Sequence, residues 1–162
     1  MKAIDIHAHI PRMLGIPEYG IEPGLRRMFR MNDEPDDIAK MVETYRAIDT
    51  MAVIFSVDAE TETGDLPDPN DYVAATVAAY PDVLMGFASV DPRKGVTAVI
   101  ELDRAVTDLG LRGLKLHPIH QAFFPDDPAF TPLFSKAEDL GIPVLMHSGY
   151  AAAGANTPGG GG

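Results

Sequence analysis

The sequence predicts an α/β protein built on a parallel sheet. Three observations carry that prediction. Five short apolar runs alternate with segments whose apolar residues recur at helical spacing. Strands joined through helices run parallel, and strands this short and apolar suit a sheet covered on both faces. The 162 residues are 46% hydrophobic, enough for one domain, or part of one, with a sizeable core.

The first strand is expected over residues 3–9, in the stretch AIDIHAHIP. A helix then starts near DEPDD, where acidic residues and Pro35 suit a first turn, and it carries Ile38, Met41, Val42, Tyr45 and Ile48 on one stripe. The second strand covers 51–58. A helix over 70–80 follows, with Val73, Val77 and Tyr80 inward. The third strand covers 83–91, and the helix over 96–109 after it aligns Val99, Leu102, Val106 and Leu109. The fourth strand is 113–117. The last helix is expected to be capped by Thr131, to hold Pro132 in its first turn and to stop before Gly141; the fifth strand, 142–147, follows it. Strands two and three both end in SVD, and Asp58 and Asp91 are expected to serve as turn or cap residues.

Charge and composition remove several classes of function. A net charge of -11 and a pI near 4.7 repel phosphates, which argues against nucleic acid or anionic membrane as partner and for a small-molecule substrate. A homo-oligomer is left open. With no cysteine there are neither disulfides nor thiolate metal ligands, so a metal site would use His and carboxylate. No apolar run approaches about 18 residues and no signal-peptide pattern opens the chain, so a soluble cytoplasmic protein is expected.

Alternation along the first strand sends Ile4, Ile6, Ala8 and Ile10 one way and Asp5, His7 and His9 the other. At about 3.3 Å per residue, His7 and His9 both reach an ion held at about 2.0–2.1 Å. A wet polar face would look the same, so the other histidines matter. His117 ends the fourth strand, His147 ends the fifth and His120 lies three residues beyond the fourth. Parallel folds gather the carboxyl ends of their strands on one side, which brings these residues together. A site of this kind suits one divalent ion, Zn first and Mn second; the competing explanation is histidines satisfied by ordinary packing.

IDIHAHIP, NDYVAATVAAYPDVLMGFASVDP, GLRGLKLHP and GIPVLMHSG, taken in order, resemble the amidohydrolase-related branch of the amidohydrolase superfamily over nearly the whole chain. That resemblance implies a metal-dependent (β/α)8 TIM barrel of which this chain covers about strands 1 to 5. It implies His7 and His9 as metal ligands from the first strand and His147 as ligand or near-ligand from the fifth, with His147 and His117 catalytic. The family completes its site with a His after strand six and an Asp after strand eight. A barrel needs about 250 residues, so a longer polypeptide is expected.

Lys115 shares the face of His117, where binuclear members of the superfamily carry a carboxylated lysine; pairing with a carboxylate or with substrate is the preferred role here. The long connection from Pro11 to Met31 holds Arg12, Arg26, Arg27 and Arg30 in an otherwise acidic chain. Guanidinium groups there suit a carboxylated or CoA-linked substrate. Arg12, Lys115, His120 and Phe123 are the candidate substrate contacts, with core packing the alternative for Phe123. Metal-activated hydrolysis is the first expectation for the activity. Decarboxylation of a carboxylated aromatic or muconate-type substrate is the alternative, and a catalytically silent fragment is the third.

Overall fold

A computed structural model of the chain describes residues 1–11 and 37–149. Its elements run β1 (Ala3–His9), α1 (Ile38–Ala47), β2 (Thr50–Phe55), α2 (Glu60–Thr63), α3 (Asn70–Ala79), β3 (Leu84–Gly86), β4 (Ala88–Ser89), α4 (Val96–Thr107), β5 (Leu114–Leu116), α5 (Thr131–Asp139) and β6 (Val144–Met146). Every strand pairing is parallel, in the order β1-β2-β3 and β4-β5-β6.

The two sheets meet within the third predicted strand, which the structure divides at Phe87. Phe87 N donates to Ile54 O on one side at 3.0 Å, and Ala88 N donates to Gly113 O on the other at 2.8 Å. The run thus passes its hydrogen bonds from β2 to β5 in mid-course, as staggered strands do around a barrel wall. Gly113 permits the crossing, because a Cβ there would lie 2.5 Å from the Phe87 ring. Five parallel strand positions joined by four helical connections, in this order, match the first part of a (β/α)8 barrel.

Two apolar layers separate the faces of the wall. Ala52, Ile54, Leu84, Ala88, Leu114 and Leu116 pack outward against Val42, Val73, Leu102 and Leu133 of the helices. Val53, Phe55 and Phe87 form a smaller inner cluster with Met85 and Leu145. The functional groups belong to that inner face.

Helix ends follow local chemistry. Asp37 caps α1 through the Ala39 N–H at 2.8 Å. Thr131 is not the expected cap, since it is the first residue of α5. A 3₁₀ turn, Pro128–Phe130, leads into that helix and is itself capped by Asp127 on Ala129 N. Gly141, at a φ of 65°, follows the end of α5 in the left-handed region. The four-residue helix α2 carries no apolar periodicity and is not expected from the sequence. No helix among the described residues is long and apolar enough to cross a membrane.

Candidate metal centre

The β1–β2 register sets the site. Asp5 lies opposite Ala52, but the next outward pairs are Ala8 with Ile54 and then His9 with Phe55, so β1 spends one more residue than β2 over this stretch. Such a bulge reverses the phase of alternation. The single face expected for Asp5, His7 and His9 is therefore corrected. Asp5 turns outward, where Tyr45 of α1 donates its hydroxyl to Oδ2 at 2.7 Å, while both histidine rings pack edge-on against Phe55 inside.

His7 Nε2 and His9 Nε2 stand 3.3 Å apart. Two ligand atoms at about 2.05 Å from one tetrahedral ion would be separated by about the same distance, so the pair fits a shared divalent ion. Burial lowers the pKa of both imidazoles, and the charges of Lys115 and His147 add to the effect; His9 is pushed down to about 4. Neutral imidazole is the form that binds metal. His147 contributes a buried Nε2 with no hydrogen-bond partner among the described residues, a nitrogen whose lone pair suits a metal ion. Among the described residues, however, no three His, Asp or Glu side chains close on one point.

Lys115 is fully buried, and its Nζ also lacks a hydrogen-bond partner among the described residues. The Phe55 ring lies 4.8 Å from it. A cation–π contact replaces only part of an ammonium's hydration, so burial drives the Lys115 pKa down to about 8. At neutral pH this leaves a cation on the inner face beside four histidines, His7, His9, His117 and His147.

His117 stacks flat on His147, with ring centroids 4.0 Å apart and an angle of 6° between planes. The His120 backbone N–H donates to His117 Nδ1 at 3.2 Å, so that nitrogen carries no proton and the proton of the neutral ring resides on Nε2. Burial, reinforced by His147, His120 and Lys115, lowers His117 to about 3. Gln121, wholly buried, secures this corner. Its Oε1 accepts from His117 N at 2.8 Å, and its Nε2 donates to Asp58 O and Val90 O at 2.7 and 2.9 Å. One side chain thus ties together the loops that follow β2, β4 and β5.

The predicted residues divide accordingly. His7, His9, Lys115, His117 and His147 share the inner face, and His120 borders it through His117. Phe123 is turned into the core at 2% exposure and meets Phe130 edge-on, so packing rather than substrate contact accounts for it. Arg12 and the Arg26, Arg27 and Arg30 cluster lie outside the described residues. Asp91 caps the turn Pro92–Lys94, and Asp58 accepts from Asp91 N and from Lys94, in line with the loop roles expected of both. Sequence reasoning missed Phe55, Tyr45 and Gln121. Phe55 was legible as a strand residue, but its choice of face follows from register alone.

Comparison with known proteins places these features. A family model described as amidohydrolase matches residues 4–160. The 2-amino-3-carboxymuconate-6-semialdehyde decarboxylase of Dictyostelium discoideum is 31% identical over 78 residues, covering 48% of this chain and 22% of that protein. The γ-resorcylate decarboxylase of Rhizobium radiobacter is 26% identical over 161 residues, covering 90% of this chain and 49% of that one. The chain therefore spans about half the length, or less, of these curated relatives. Among solved structures, 5-carboxyvanillate decarboxylase from Sphingomonas paucimobilis superposes with a TM-score of 0.62 at 22% identity, over 89% of this chain and 51% of that one. A 5-carboxyvanillate decarboxylase from Novosphingobium aromaticivorans, complexed with manganese and 4-hydroxy-3-methoxy-5-nitrobenzoic acid, gives 0.54 at 17% identity, over 83% and 44%. At these identities the structural likeness speaks for the fold.

Proposed function

The chain belongs to the amidohydrolase family, and from that premise we propose that the protein is a metal-dependent decarboxylase of a small carboxylated aromatic or muconate-type substrate. The observation that carries this reading is the match to γ-resorcylate decarboxylase along 90% of the chain. It moves the preference from hydrolysis, the first expectation from sequence, to carbon–carbon cleavage.

The inner face offers what such a substrate needs. His7 and His9 would hold a divalent ion between them, with His147 on the same inner face but not closing on the same point. When bound, that ion would supply a Lewis acid for a substrate carboxylate or neighbouring oxygen. Lys115 would anchor an anionic oxygen of the substrate, since its ammonium, without a hydrogen-bond partner among the described residues, gains a charge-assisted hydrogen bond when an anion enters. His117 would present its Nε2–H as a fixed donor, because its other nitrogen is occupied by the His120 amide. Stacking on His147 holds the two imidazoles in one orientation. In the reaction the bond from ring or chain carbon to the carboxyl breaks, carbon dioxide leaves, and the electron pair left on carbon takes a proton. A net charge of -11 agrees with a small organic acid admitted to a local cationic site rather than a polyanion bound over the surface.

Product analysis tests the assignment. The intact protein, loaded with Mn²⁺ or Zn²⁺ and given 2,6-dihydroxybenzoate, 5-carboxyvanillate or a carboxymuconate semialdehyde in H₂¹⁸O, should release carbon dioxide equimolar with the decarboxylated product. Release of an acid carrying ¹⁸O, without carbon dioxide, from an ester, amide or thioester panel would instead establish a hydrolase.

A further inference from the structure

Asp5 is the polar residue nearest the two strand-one histidines in sequence, yet it faces away from them. Strict alternation from an outward Asp5 would send His7 and His9 outward as well. They face inward because β1 takes three steps from Asp5 to Ala8 while β2 takes two from Ala52 to Ile54. An extra residue disturbs the ladder and leaves an amide to satisfy. The His7 N–H is taken by Asp5 Oδ1 at 2.9 Å. The other carboxylate oxygen, Oδ2, is held by the Tyr45 hydroxyl at 2.7 Å, and Tyr45 itself packs against the outer core from α1.

We infer that Asp5 and Tyr45 are positioning residues for the metal centre: Tyr45 fixes the Asp5 carboxylate, which fastens the bulge that brings His7 to within 3.3 Å of His9. The inference rests on the metal-centre reading for its functional meaning, but the device itself is a property of the chain. Asp5 acts through the His7 backbone and touches neither imidazole nitrogen by hydrogen bond among the bonds described. Its carboxylate is therefore not a ligand; it is the outer anchor of one.

The test compares Asp5→Ala, Asp5→Asn and Tyr45→Phe in the intact protein. In the metal-free state the His7 and His9 ring protons should show a mutual nuclear Overhauser effect in the wild type that Asp5→Ala loses, while the His117–His147 contact persists. Mn²⁺ affinity, read by titration, should fall about ten- to a hundredfold in Asp5→Ala, the usual cost of losing an outer-shell partner. Asp5→Asn keeps an oxygen for the His7 amide and should recover most of that loss, whereas a role in stability alone would lower the thermal midpoint without such rescue. Tyr45→Phe keeps the ring and removes the hydroxyl, so it should weaken Mn²⁺ severalfold with unchanged circular dichroism; it decides the matter if Asp5→Ala does not fold. Wild-type ring contact and Mn²⁺ affinity in both Asp5→Ala and Tyr45→Phe would overturn the inference. Loss of the ring contact in a protein that releases no carbon dioxide would leave the positioning role standing and remove the decarboxylase assignment.

Discussion

Lys115 shows how a single side chain can trade stability for binding. Its Nζ is buried, lacks a hydrogen-bond partner among the described residues and lies over the Phe55 ring. A fall from 10.5 to about 8 corresponds to a desolvation cost of about 3 kcal/mol. The lowered pKa means the unfolded chain holds this proton more tightly, so the cost is fully present below pH 8 and fades as pH rises through 8 towards 10.5. Lys115→Met, which keeps the length and removes the charge, should therefore raise the denaturation midpoint at pH 7 and lose the gain by pH 10.5. The same variant should lower kcat/KM for a carboxylated substrate at least tenfold. Destabilisation with full activity would contradict the anchor role. Conservative spacing made Lys115 legible as an inner-face residue in sequence; its lack of a partner was not, because that depends on what three other strands place around it.

Among the elements, strand identity was more legible than strand geometry. Apolar runs, capping aspartates and the stop at Gly141 are local signals, and the order of helices and strands followed from them. The bulge in β1 and the division at Phe87 are not local. The first depends on a mismatch with β2, and the second on where β2 gives way to β5 as neighbour. Hence Asp5 was assigned to the histidines' face, and a continuous third strand was expected, for the same reason: alternation read from one strand assumes a regular partner. Gly113 offers a direct check on the division. In Gly113→Ala the new methyl would meet the Phe87 ring at 2.5 Å, and this overpacking should cost about 1–3 kcal/mol in a urea titration. An unchanged midpoint would show that Phe87 has room to move and that the crossing is not tightly constrained.

Across the whole molecule, an acidic chain carries five imidazoles whose pKa values are all lowered, although His7 and His9 are exposed and the other three half-buried. His7, His9, His117, His120 and His147 are each lowered, with burial the leading cause in every case. Unfolded histidines take up protons near pH 6.5, so folding stability is complete above that pH and declines as pH falls towards about 4, where His9 titrates. The metal-free protein should accordingly show a urea midpoint that drops steadily between pH 6.5 and 4.5; a flat profile would mean the imidazoles are hydrated in solution. β1 and β6 are edge strands among the described residues, and Ile4, Ile6 and Val144 on them are exposed. Such edges favour association, so these measurements belong at low protein concentration.

The histidine pattern and the parallel α/β order were visible in the residues themselves and the barrel followed from the family resemblance, but the choice between hydrolysis and decarboxylation was not legible, since both chemistries use the same inner face. Carbon dioxide evolution from 2,6-dihydroxybenzoate or 5-carboxyvanillate, followed before and after chelation of the metal, bears on the central claim most directly. Release should match product one for one, stop on chelation and return on adding Mn²⁺ or another divalent ion. Turnover that survives complete metal removal, or metal-dependent turnover that yields an acid and no carbon dioxide, would contradict that claim.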